Sequence, residues 1–473
     1  MQPETCLPLH DVDASAQAAL IQSGQISATE LLEASIAQIE ASNAQLNAIV
    51  TPMFEQARQQ ARGKLIPGPF SGVPYAIKDL VDVQGVRRSS GSRLLSSHVS
   101  DSDAAIVSQT RAAGLILLGK TNTPEFALNA TTEAVLSGPA RNPWNRAHSA
   151  GGSSGGAAVA VASGMLAFAH ACDGGGSIRI PASCCGLFGL KPSRGRMQGS
   201  GMGDSGVEHC LSRSVRDSAR LFAWNQRHDA DAPWPAIRLP VSASQHRLKI
   251  AFALNGMAGT APTEVVGTAV TATARLCAAL GHHVETVQLP VNGELFFRHF
   301  KWAWSHSAQR AFDMAREMGK DPEQELEAWT NYLAAHARAA APEAAGLATA
   351  YFSRVAQDFA GFFEDYDVLL SPVTSMPAPR LGYFDTGLPG EVLWERLQHY
   401  AAYTPMHNIA GTPAMSVPLG MSHEGLPIGS QFAARAGDEQ TLFELAFELE
   451  QAQAWSHLRP PPPEYKISPA ASP

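Results

Sequence analysis

The chain has 473 residues, 45% of them hydrophobic and 16% charged, which suits a soluble protein with a large core. Its 35 Lys and Arg against 43 Asp and Glu give a formal net charge of −8, and this argues against a general nucleic-acid binder, whose surface would be basic. Cys6, Cys172, Cys184, Cys185, Cys210 and Cys277 show neither metal-type nor disulfide-framework spacing and no signal peptide opens the chain, so they read as reduced, mostly buried thiols of a cytoplasmic protein.

Residues 13–23 and 53–63 read as helices. Between them Ser27-Ala28-Thr29-Glu30 is a capping box, followed by Leu31, Leu32, Ile36 and Ile39 at helical spacing. The first 65 residues are therefore mainly helical, packed on the rest of the chain or on a second subunit. From Val73 to Lys191 short apolar runs alternate with helical patterns. Tyr75-Ala76-Ile77 reads as a strand that delivers Lys78 at its end, Ala104–Ala113 as a helix and Leu115–Leu118 as a buried strand. The apolar run Ala157–Cys172 is broken by Ser163, Gly164 and His170. It is short for a membrane span and fits a buried helix followed by a buried strand. Farther on, Leu248–Ala253 is a strand, Thr263–Leu280 a helix and Val284–Leu289 a strand. Residues 291–400 are less patterned, with helices around Phe296–Trp304 and Glu323–Ala340, and Asp367–Pro372 restores a buried strand. Such alternation predicts an α/β fold, a large mixed sheet with helices on both faces.

The chemistry concentrates in two glycine-dense loops, Gly151-Gly152-Ser153-Ser154-Gly155-Gly156 and Gly174-Gly175-Gly176-Ser177-Ile178-Arg179, with Lys78 upstream. Bare backbone N–H groups can approach a substrate closely and form an oxyanion hole. Two serines and a lysine supply a proton relay for acyl transfer.

The stretch from Asn142-Pro143-Trp144 to Lys191-Pro192 resembles the amidase signature family. So do Gly119-Lys120-Thr121-Asn122-Thr123-Pro124-Glu125-Phe126, Asn408-Ile409-Ala410-Gly411-Thr412-Pro413-Ala414 and Pro427-Ile428-Gly429-Ser430-Gln431. Within that family the chain is most similar to bacterial aryl and alkyl amidases and to cyclic-oligoamide (nylon oligomer) hydrolases. The resemblance implies an amidase-signature fold in which Ser177 is the nucleophile, Ser153 bridges it to the base Lys78, and the peptide before Ser153 is cis. It implies an oxyanion hole from the N–H groups of Gly174, Gly175, Gly176 and Ser177, with Ser154 helping to place Lys78 and Asp173 pairing with Arg179 to lock the loop. Because lysine accepts a proton only when neutral, activity is expected to rise from neutral to mildly alkaline pH. Ala150, Gly174 and Ser193 depart from the usual pattern, and Gly174 is expected either to loosen the loop or to open room for the substrate.

Other readings of the same residues are weaker. Gly114–Thr121 fits the P-loop pattern, but its intervening residues are apolar and read as a strand. Gly151–Gly155 fits the nucleophile elbow of Ser-His-Asp hydrolases, with His407 as the available histidine. His282-His283 lacks the spaced partners of a metal site and reads as a solvated turn. The expectation is a cofactor-free, metal-free serine amidohydrolase for small or medium uncharged amides or anilides, with carbamates, esters and nylon-type oligomers also within its chemistry. The alternative is the glutamine-hydrolysing subunit of a tRNA-dependent amidotransferase. No nucleic-acid or membrane partner is expected, and the chain is read as a monomer or homodimer. The simplest organisation is one domain over residues 1–473: a mainly helical 1–65, a catalytic core in 66–200, a variable substrate-side segment in 291–405 and a flexible proline-rich tail in 460–473. Specificity is expected from residues 195–215 and 291–405, with Phe296, Trp302, Trp304 and Tyr403 as candidate apolar walls and core packing as the competing reading of each.

Overall fold

The computed structural model describes residues 9–198 and 206–461. Cys6, residues 199–205 of the expected specificity segment and the tail from residue 462 lie outside the described residues. Strands form one mixed eight-stranded sheet in the order His283–Thr286, Lys249–Phe252, Val368–Pro372, Pro427–Ala434, Ala414–Met421, Phe188–Lys191, Val207–Ser212 and Phe168–Asp173. The first three run parallel and every later pair is antiparallel.

The period-two alternation of each strand splits its apolar residues between two cores. Ala251, Leu369 and Ala433 face a core shared with the helices Gly155–Ala162, Arg179–Cys185 and Gly293–Glu317. Ile250, Phe252, Val368, Leu370 and Phe432 face the other side, against Val215, Val266 and Phe443. Helices thus cover both faces, as the sequence alternation predicts. Among the described residues no helix is long and apolar enough to cross a membrane.

A second, three-stranded sheet pairs Ile116–Thr121 with Ile49–Pro52 on one side and Pro74–Lys78 on the other. The Gly114–Thr121 pattern is therefore strand, not a phosphate loop. Pro74–Lys78 runs beside the edge strand Phe168–Asp173: the rings of Tyr75 and Phe168 lie 4.8 Å apart, and the Lys78 N–H donates to His170 Nδ1 at 3.3 Å. Lys78 therefore ends next to the loop that follows Asp173.

The capping box forms, with Glu30 N–H on Ser27 Oγ and Ser27 N–H on Glu30 Oε2. The N-terminal helices pack on their own chain, where the Asp217 carboxylate accepts the N–H groups of Ala14 (2.7 Å) and Ser15 (2.8 Å). The expected helix at 323–340 is broken in two, Pro322–Glu325 and Ala328–Arg338, because the Glu327 N–H leaves the helix to donate to Glu125 Oε2 at 2.8 Å. His282 is buried, not solvated as its turn position suggests. Its ring accepts the Leu248 N–H and meets Glu448 at 2.9 Å.

Candidate active site

Lys78 is fully buried, and its Nζ lies 2.6 Å from Ser153 Oγ, 3.0 Å from Ser154 Oγ and 3.3 Å from Cys172 Sγ. Ser154 Oγ in turn donates to the Cys172 carbonyl at 3.3 Å. The neighbouring Asp79 is engaged elsewhere, with Lys120 Nζ at 3.4 Å and Ser89. The Gly152–Ser153 peptide is cis. Ser153 is thus bonded to a lysine. His407, which the elbow reading would need, instead meets Thr412 Oγ1 at 3.0 Å and packs its ring on Phe359.

The second loop is held from below by one carboxylate. Asp173 ends its strand, and its oxygens accept the N–H of Gly176 (2.7 Å) and Ile178 (3.2 Å), Arg179 Nε and Nη2 (both 2.9 Å) and Asn408 Nδ2 (3.0 Å). Arg179 spends its remaining donors on Thr404 O, Gln431 Oε1 and Asn408 Oδ1. Asp173 and Arg179 are both fully buried. Burial alone would raise the Asp173 carboxyl, but the Arg179 guanidinium and its hydrogen bonds hold it below the usual carboxylate range.

This arrangement corrects the sequence reading at Gly176. Its N–H is spent on Asp173 and is not free for an oxyanion. Its role is steric: φ is +132°, and a Cβ there would sit 2.4 Å from Thr404 Oγ1. The N–H groups of Gly174, Gly175 and Ser177 have no protein acceptor among the described residues.

These loops form the floor of a solvent-open cavity. Gly152, Gly175 and Ser177 lie at its base, Phe297, Phe300 and Trp304 come from the Gly293–Glu317 helix, and Trp394, Leu397 and Gln398 come from Gly390–Tyr400. Among the described residues, none of its lining side chains is charged. Of the four aromatic candidates only Trp304 lines it. Phe296 is core, stacked on Phe300 at 5.6 Å; Trp302 packs its ring on His306; and the Tyr403 hydroxyl is turned to Leu254 O at 3.1 Å. The sequence reading misses Phe297 and Phe300 although, with Trp304, they share one helical face, a spacing readable in the sequence. It also misses Cys172 as a neighbour of Lys78; the place of that cysteine just before Asp173 is the available signal. Burial pushes its thiol up to about 11.

The amidase family model matches residues 30–443. A 6-aminohexanoate-cyclic-dimer hydrolase of Paenarthrobacter ureafaciens is 37% identical, over 95% of this chain and 96% of that protein. The crystal structure of a bacterial aryl acylamidase of the amidase signature family superposes with a TM-score of 0.86 at 26% identity, covering 95% of this chain and 98% of that one. One glutamyl-tRNA(Gln) amidotransferase subunit, from Synechococcus sp., is 33% identical, over 93% of this chain and 96% of that protein. The chain belongs to the amidase family, the amidase signature enzymes. It is accordingly an amidase, a hydrolase of non-peptide C–N bonds.

Proposed function

We propose that the protein hydrolyses small or medium uncharged amides through an acyl-enzyme on Ser177. The observation that carries this reading is Lys78 Nζ at 2.6 Å from Ser153 Oγ, beneath a cavity whose base holds Ser177. Lys78 takes a proton from Ser153, and Ser153 takes one from Ser177. Ser177 Oγ attacks the carbonyl carbon, and the developing oxyanion is held by the N–H groups of Gly174, Gly175 and Ser177. Ser153 then gives the proton it took from Ser177 to the leaving nitrogen, which could not depart as an amide anion, and Lys78 reprotonates Ser153. Water then cleaves the acyl-enzyme by the same relay. Ser154 and Cys172 place the amine, while Asp173 and Arg179 fix the loop.

The uncharged, aromatic cavity favours an apolar acyl or aryl group. Anilides fit, as do oligoamides whose carbonyls are separated by methylene chains. Carbamates and esters present the same carbonyl with a leaving group within reach of Ser153. The amidotransferase reading is less well supported, because free glutamine carries an ammonium and a carboxylate and, among the described residues, no charged side chain lines the cavity to receive them. The test is amine release from an aryl amide, an aryl carbamate and glutamine, with wild type and Ser177→Ala. Turnover of the amide or carbamate that vanishes in the variant is expected. Turnover that survives, or cleavage of glutamine alone, overturns the reading.

A further inference from the structure

Behind the aromatic wall of the cavity, side chains from three helices converge on one amine. Lys301 sits on Gly293–Glu317 next to Phe300 and is only 8% exposed. Its Nζ donates to the Tyr332 hydroxyl at 2.7 Å, on Ala328–Arg338, and to Glu391 Oε2 at 2.9 Å, on Gly390–Tyr400. The Tyr332 hydroxyl also donates to Glu391. One turn beyond Glu391, Trp394 places its ring centroid 5.6 Å from the same Nζ while lining the cavity. The contact with Tyr332 is close: a Cβ on Gly390 would lie 2.2 Å from the Tyr332 ring. Tyr332 stacks on Trp329, and the Leu128 carbonyl, on the cavity's loop wall, accepts both Trp329 Nε1 at 2.8 Å and Trp304 Nε1 at 3.3 Å.

A nearly buried ammonium is costly unless it is paired, and an apolar side chain would fill the same space without that cost. Lys301 does not line the cavity, and the hydrolysis proposed above makes no use of it. What the cation does is tie the helix carrying Phe297, Phe300 and Trp304 to the helix carrying Trp394. We infer that Lys301 is a positioning residue for substrate size: by bridging Tyr332 and Glu391 it fixes Trp394 relative to Phe300 and Trp304, and so sets which acyl or aryl groups the cavity accepts. This rests on the reading of that cavity as the substrate site.

The test compares acetanilide with the bulkier phenylacetanilide in wild type, Lys301→Met and Glu391→Gln. Met keeps the apolar stem, and the Glu391 side chain is 68% exposed, so Glu391→Gln leaves the core intact. The expected result is a roughly tenfold rise in the KM ratio of bulky to small substrate, the order of effect of one lost pocket contact. The kcat ratio should move by no more than about twofold. A merely structural role would lower kcat for both substrates together and leave the KM ratio unmoved, which overturns the inference. In parallel, tryptophan fluorescence titration of Ser177→Ala with phenylacetanilide reads the Kd directly. Adding Lys301→Met should weaken it by the same factor, and an unchanged Kd overturns the inference even if turnover is too slow to measure. Residual hydrolysis by Ser177→Ala would instead count against the catalytic reading, so the two failures are separable.

Discussion

The loop after Asp173 and the helical segment from Gly293 to Tyr400 meet at one cavity, and each buries a carboxyl group that it treats differently. Asp173 is surrounded by Arg179, Asn408 and backbone N–H groups, and although burial opposes it the carboxylate is held in its charged form. Glu327, at the start of Ala328–Arg338, is buried beside a second acid, Glu125, with no cation bonded to it among the described residues. Burial first, and then Glu125, push it up to about 7. The first region is an ion-paired scaffold that fixes backbone donors to within a hydrogen bond. The second is aromatic packing, tied at one point by Lys301, and it tolerates a neutral acid. Under the proposed function, chemistry and specificity therefore rest on different interactions, and they should break differently.

The largest effect is expected at the first region. Ser177→Ala should lower kcat by about 10⁴-fold or more, and Lys78→Met by a similar order, with the double variant little worse than either, because groups acting as a unit are not additive. Steady-state kinetics on an anilide check this; additive losses would mean that the two do not share a step. Next, Asp173→Asn leaves Arg179 buried without its counter-charge and should cost about 3–5 kcal/mol of stability. Chemical denaturation reads that loss, and a change of under about 1 kcal/mol, the size of an exposed ion pair, would show that the scaffold does not depend on the pair.

Changes that press on the aromatic wall of the second region, even from the first loop, should be smaller and fall on KM. Gly174 faces open space, with a Cβ there only reaching Trp304 at 4.0 Å. Gly174→Thr should therefore fold normally and raise KM for bulky amides by roughly tenfold while sparing small ones. An equal loss for both would place the effect on the oxyanion donors. A further effect concerns pH. The folded protein keeps the Glu327 proton up to about pH 7, while the unfolded chain releases it near the ordinary value of 4.5. Its contribution to stability is therefore full below about pH 4.5 and is lost as pH rises to about 7. Glu327→Gln should flatten stability across that window, and an unchanged slope would assign it to other groups.

The same contrast explains what is legible in the sequence. The proposed catalytic groups stand in or beside short loops of glycine, serine, aspartate and arginine, so the neighbourhoods of Lys78 with Ser153 and Ser154 and of Asp173 with Arg179 follow from local residue pattern together with the family resemblance. Gly176 is misread from its spacing, which does not show a carboxylate turning back to take its N–H. On the substrate side the Phe296–Trp304 helix is legible, but which of its aromatic faces meets the cavity depends on how it docks against Gly390–Tyr400. That is a tertiary choice, so by spacing Phe296 and Trp302 look as suitable as Phe297 and Phe300. The helix break at Glu327 is hidden for the same reason, since its cause is a bond to Glu125 far away in the chain.

The most direct test of the central claim is intact-mass and peptide-level mass spectrometry of the enzyme quenched during turnover of an activated aryl ester. A single acyl adduct on Ser177, absent from Ser177→Ala, is expected. An adduct on Ser153 or Cys172, or turnover with no adduct during a measured burst, would contradict it.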